Sequence, residues 1–157
     1  MKRTGLIISI IVSLLSMGIL LGCADAAVKT AISDFKGAVN ANSPSALKNA
    51  LSPESTMYIT EGWNWLLTDY LDASNRPVNY SNYTINVSGE NADAYASATY
   101  QSLPVDGGVW FWFKRENTFL GFLFPSYKVY RYYDGYNGFT DPDAIWKKIQ
   151  DLEAQTQ

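Results

Sequence analysis

The 157-residue chain sets twelve Lys and Arg against fifteen Asp and Glu, a net charge of −3, and contains one cysteine and no histidine. This balance excludes the basic footprint that replaces counterions around phosphates, so no nucleic-acid partner is expected. A lone thiol excludes an internal disulfide, and the missing imidazole removes the commonest general base and metal ligand.

Lys2 and Arg3 precede an apolar run from Leu6 to Leu21, broken only by Ser9, Ser13, Ser16 and Gly18. Such a layout is that of a secretory signal, and the run is short for a membrane span. The alternatives are an uncleaved N-terminal membrane helix with a buried structural cysteine behind it, or an ordinary signal cut elsewhere. The residues Leu20-Leu21-Gly22-Cys23 that close the run resemble the lipobox of prokaryotic lipoproteins, although Leu21 is bulkier than the small residue often found there. The resemblance implies cleavage before Cys23 and attachment of a diacylglycerol, with acyl chains such as palmitate, to its thiol. Each buried methylene contributes about 0.8 kcal/mol and one chain anchors only marginally, so two or more chains hold a protein at a membrane. The expected organisation is a lipoprotein signal peptide at residues 1–22, a lipidated N-terminus and short tether at 23–27, and one domain at 28–157. The expected location is the cell envelope, lipid-anchored on its periplasmic or extracellular side. Without Lys2 and Arg3 the mature chain keeps ten basic against fifteen acidic side chains, a net charge of −5. Its five tryptophans, eleven tyrosines and seven phenylalanines supply the material of a single core.

Val28, Ala31, Ile32, Phe35, Ala38 and Val39 recur at the three-and-four spacing of a helix face. A second helix is expected after Ser43 as N-cap and Pro44 in the first turn, with Leu47, Ala50 and Leu51 turned inward and a stop near Pro53. A third, over residues 60–74, aligns Trp63, Leu66, Leu67, Tyr70 and Leu71 on one face. Beyond Pro77 the period becomes two: Tyr83, Ile85 and Val87 alternate with Thr84, Asn86 and Ser88, and after a turn at Gly89-Glu90-Asn91 the chain returns with Ala92, Ala94, Ala96 and Ala98 on one side. Two more strands are expected at Val109–Glu116 and Phe119–Tyr133, joined at Asn117 and bent at Gly121 or Pro125. A last helix, at 141–154, has Asp141 as cap, Pro142 in its first turn and a stripe of Ile145, Ile149 and Leu152.

Helices first and antiparallel strands after give an α+β fold in which N-terminal helices pack on a curved antiparallel sheet. The helical stretch FKGAVNANSPSALKNALSP and the hairpin VSGENADAYASATY, within this element order, resemble the cone-shaped NTF2-like (SnoaL-like, cystatin-like) superfamily over residues 27–134. The resemblance implies a cone that holds a ligand, sheet-to-sheet homodimers, and in enzymatic members an Asp, Tyr or His placed inside the cone for isomerase, dehydratase or hydrolase chemistry, of which this chain lacks the His. No catalytic set carries over. Asp34, Asp69 and Asp72 fall on polar helix faces and read as solvated carboxylates. Asp141-Pro142-Asp143 and the stretch 134–138 read as a cap and a turn, so no metal and no cofactor is expected.

The aromatic strands carry the binding candidates. Phe35, Trp63, Tyr70, Tyr95, Trp110, Phe111 and Trp112 are the candidates to line the expected cone or its sheet face. Alternation puts Trp110 and Trp112 opposite Phe111 and Phe113, so both sheet faces are apolar. A second copy, the C-terminal helix with Trp146, or a flat ligand or sugar are the alternative covers. The alanine face of the hairpin leaves either a cavity for a small apolar ligand or close approach for a helix. Two functions follow: a non-enzymatic envelope module binding a ligand or an envelope protein, or a SnoaL-like enzyme acting on a small apolar substrate.

Overall fold

The computed structural model describes residues 23–59, 61–116 and 125–134. The expected signal peptide, the C-terminal helix at 141–154 and the first part of the expected fourth strand lie outside them.

The fold is α+β, with helical segments first and an antiparallel sheet after them. Helix α1 runs through residues 23–40, and its apolar stripe is fully covered: Val28, Ile32, Phe35 and Val39 are each 0% exposed. The stripe continues back to Ala24, which is 8% exposed, so the stretch expected as a tether at 23–27 is helix packed on the domain. Asn42, at φ 49°, turns the chain out of α1, and the Ser43 N–H returns to the Ala38 carbonyl at 3.0 Å.

Helix α2 (Pro44–Ala50) begins as its sequence dictates, with the Ser43 hydroxyl accepting from the Ala46 N–H at 3.3 Å and Pro44 in the first turn. Leu51 then forms a parallel bridge to Val129, and the Ser52 N–H donates to the Val129 carbonyl at 2.8 Å. A short α3 (Thr56–Ile59) and α4 (Gly62–Trp65) follow, and α4 passes directly into a π-helical turn at Leu66–Tyr70. The wider turn buries Leu66, Leu67 and Tyr70 together and closes with the Leu71 N–H on the Leu66 carbonyl at 2.7 Å.

The sheet comprises β1 (Val78–Ser88), β2 (Asn91–Tyr100), β3 (Leu103–Pro104), β4 (Val109–Arg115) and β5 (Tyr127–Asp134), in the order β1-β2-β4-β5 with β3 paired to the end of β2. Two irregularities set which side chains face the helices. Between Ser81 and Thr84 the β1–β2 register shifts at Asn82, φ 53°, so Tyr83, Ile85 and Val87 turn to the side already taken by Val78 and Tyr80. In β5, Trp112 faces Arg131 and Phe113 faces Val129, which leaves Tyr130 as the extra residue. Tyr127 and Val129 before this bulge, and Tyr132 and Asp134 after it, are all buried.

The core lies between α1 and the inner face of the sheet. Ala94 and Ala96 are 0% exposed, and large rings from neighbouring strands occupy the room that the β2 alanines leave. Phe111 lies edge-on to both Phe35 (5.7 Å between centroids) and Tyr80 (5.2 Å), and Tyr132 lies 5.1 Å from Phe35.

Gly108 shows what the β3–β4 connection requires. Its φ is +62°, and an added Cβ would stand 2.6 Å from the Ala96 carbonyl oxygen and 2.6 Å from the Tyr95 hydroxyl. Gly89 shares the positive φ, also +62°, but an added Cβ there meets nothing within 4 Å. Gly89→Ala is expected to cost about 1 kcal/mol from backbone strain. Gly108→Ala should cost about 3 kcal/mol, because backbone must also move. Urea unfolding of the two variants checks the difference, and equal losses would show that the connection relaxes freely.

Candidate functional site

The most polar feature of the interior is the Asp134 carboxylate, 1% exposed and met by phenols from several elements. Tyr70, last residue of the π-turn, donates to Oδ1 at 2.6 Å. Tyr100, at the end of β2, donates to Oδ2. Tyr132 lies 3.3 Å from Oδ2 and 2.6 Å from the Tyr100 hydroxyl, and Tyr80 of β1 donates to the Tyr132 oxygen at 3.2 Å. Each phenol owns one proton. The assignment that serves the short contacts therefore runs Tyr80 to Tyr132 to Tyr100 to Asp134, with Tyr70 arriving from the other side. Hydrogen bonds aligned in one sense polarise one another, which strengthens a buried chain of this kind.

Burial holds the Tyr80, Tyr100 and Tyr132 phenols well above the usual tyrosine range, and the nearby Asp134 charge pushes each in the same direction. All three are therefore proton donors throughout the physiological range. A carboxylate deprived of water is costly unless such donors replace it, and here they do. Chemically, the arrangement offers a carboxyl and a chain of phenols through which a proton can pass, at a position closed to solvent.

A different set of aromatics occupies the outer face of the sheet. Tyr95 and Trp110 are cross-strand partners with centroids 4.9 Å apart, and Trp110 and Trp112 are 6.5 Å apart with planes 25° from parallel. Trp110 is 40% exposed. Hydrogen-bonding side chains adjoin this ladder on the β1 side, where Asn86 donates to Asp93 at 3.3 Å. Cations adjoin it on the β5 side, where Lys114 and Arg131 each lie 5.5 Å from the Tyr130 ring.

The seven aromatic candidates thus separate. Phe35 and Phe111 fill the core against each other, Tyr70 is bound to Asp134, and Tyr95, Trp110 and Trp112 face away from all of them. Trp63 is half-buried on α4, and its ring N–H is buried without a hydrogen-bond partner among the described residues. Cys23 is exposed on α1. Asp134, expected in a turn, instead ends β5 inside the core. Its inward place depends on the bulge at Tyr130, since strict alternation from Tyr127 and Val129 sends residue 134 to the outside. Asp34 and Asp69 are exposed as expected. Asp72 is half-buried, and the Ser74 hydroxyl and nearby backbone N–H groups hold its carboxyl below the usual range.

Asp134→Ala leaves buried phenols without their acceptor and should destabilise the protein by about 3 kcal/mol, whereas Tyr70→Phe removes one donor and should cost about 1 kcal/mol. The pH dependence has a definite sign. Above about pH 10 the unfolded chain loses its phenolic protons while Tyr80, Tyr100 and Tyr132 keep theirs, so stability intact below that pH falls as pH rises. The slope contributed by each is about −1.4 kcal/mol per pH unit. Urea unfolding from about pH 8 to about pH 11 measures it, and Tyr80→Phe should flatten this contribution by about a third. A curve no steeper than that of Tyr80→Phe would show that the cluster admits water.

Comparison of the chain with protein-family models, with curated proteins and with solved structures gives no match.

Proposed function

We propose that the chain is a membrane-anchored lipoprotein of the cell envelope, held through Cys23, whose NTF2-like domain is a non-enzymatic module that binds a ligand or a protein partner. The observation that carries this reading is the outward ladder of Tyr95, Trp110 and Trp112, with Trp110 40% exposed at its centre. Rings at a surface, one side flanked by amide, hydroxyl and carboxylate groups and the other by cations, offer both contact area and orienting hydrogen bonds. The proposed binding surface is therefore the outer face of the sheet, because Phe35 and Phe111 occupy the interior.

A second reading, a SnoaL-like enzyme acting on a small apolar substrate, is favoured by one observation, the buried carboxyl of Asp134 and its phenols. It requires a substrate to reach a group that is 1% exposed.

Native mass spectrometry of the protein extracted from its host membranes separates the readings. The expected result is a reproducible extra mass on the wild type that disappears in Trp110→Ala and Trp112→Ala and persists in Tyr70→Phe. A mass lost only when the Asp134 cluster is altered would transfer the function to the interior. A ligand-free homodimer broken by Trp110→Ala would make the ladder an assembly surface and overturn ligand binding there.

A further inference from the structure

Helix α1 fixes the direction in which an anchor at Cys23 leaves the domain. Cys23 is itself helical, Ala24 beside it is buried, and Asp25 and Lys29 form an ion pair at 2.8 Å one turn on. No flexible stretch therefore separates the anchor position from the folded domain.

The helix lies antiparallel to β1. At its C-terminal end the Asn40 amide brackets the start of β1, donating to the Val78 carbonyl at 2.9 Å and accepting from the Val78 N–H at 2.8 Å. One turn back, Lys36 donates to the Asn79 side chain at 3.3 Å. Further back, Lys29 is close enough to Tyr83 to draw its phenol downward against the upward push of partial burial. Partners thus advance along β1 as the helix is followed toward its N-terminus. Cys23 consequently lies toward the end of the sheet that holds the β1–β2 turn.

The strand ends at that side are level with one another. The Arg115 N–H donates to the Glu90 carbonyl at 2.8 Å, and the Tyr127 hydroxyl reaches the Gly89 carbonyl at 3.4 Å. Lys114, Arg115 and Lys128 line a hollow of about 320 Å³ at the same end, together with Glu54 and Glu116. Asp134 and its tyrosines, with Leu103 and Asp106, belong to the opposite end, since β1 begins where β2 and β5 finish.

We propose that the end of the sheet carrying the β1–β2 turn, Lys114, Arg115 and Lys128 faces the phospholipid headgroups, with the Asp134 end directed away from the bilayer. This rests on lipidation of Cys23, and it adds an orientation that a flexible tether would not impose. Phosphate is the headgroup chemistry that the three cations meet, in zwitterionic and anionic lipids alike. The two ends are well separated: β1 spans eleven residues, about 35 Å at strand spacing.

The full chain, processed and extracted from a bacterial host, tests this in phospholipid vesicles carrying a headgroup quencher. Fluorophores are placed singly at Ser88→Cys, Glu90→Cys, Leu103→Cys and Asp106→Cys, all exposed positions, and intact mass reports the state of Cys23. The expected result is strong quenching at 88 and 90 and little at 103 and 106. Equal quenching at all four positions with Cys23 lipidated overturns the orientation while leaving the lipoprotein reading intact, and reversed quenching does the same. An unmodified Cys23 overturns both.

Discussion

A carboxylate buried in an aromatic core can be held there only by donors, and this requirement at Asp134 ties the elements of the domain together. Tyr70 answers it from the π-turn and Tyr100 from the end of β2, with Tyr132 of β5 donating to Tyr100 and Tyr80 of β1 to Tyr132. Any displacement of the π-turn or of a strand end strands a polar group in a dry environment, so the polar contacts fix geometry that apolar packing alone would leave adjustable. The same rings also bear the core's weight, since Tyr80 and Tyr132 pack on Phe111 as well as on each other.

Two bulges and a π-turn are what make this convergence possible. Each changes the phase of a periodic element. The register shift at Asn82 restores the inward set on β1, and the extra residue Tyr130 brings Tyr132 and Asp134 to the helix side of β5. The π-turn widens the helix after Trp65 and ends with Tyr70 buried against the carboxylate. Phase changes of this kind cost local regularity and recur where a side chain has to be re-aimed.

What the sequence made legible, and what it hid, follows from the same fact. The α1 stripe, the Ser43–Pro44 start of α2, the β1–β2 hairpin from Tyr83 onward and the inward Phe111 and Phe113 are all regular in phase, and periodicity reads them directly. β3 escapes because its turn uses Gln101 and Ser102 at positive φ, 48° and 71°, in place of the Gly or Asn that marks such turns. The helical start at residues 23–27 escapes because it adjoins the apolar run that ends at Leu21, although Ala24 extends the stripe back from Val28 by one turn. Asp134 was illegible for a physical reason: its placement depends on a single-residue insertion whose sequence, Val-Tyr-Arg-Tyr-Tyr, alternates no better with the bulge than without it.

The outer face shows the reverse relation between sequence and fold. Every inward position of β2 and β4 is settled by packing, and the residues opposite them are free of that demand. A sheet optimised only for stability would not set Lys114 directly across from Lys128, because like charges in a cross-strand pair repel. Their side chains diverge, Lys114 toward the Tyr130 ring and Lys128 to the Asn49 carbonyl at 2.6 Å, which relieves the repulsion and leaves Lys114 beside the aromatic ladder. Trp110 likewise exposes an indole that the core does not need. Tyr95 and Trp112 are half-buried beside it, so Trp110 is the ring of this ladder that packing accounts for least.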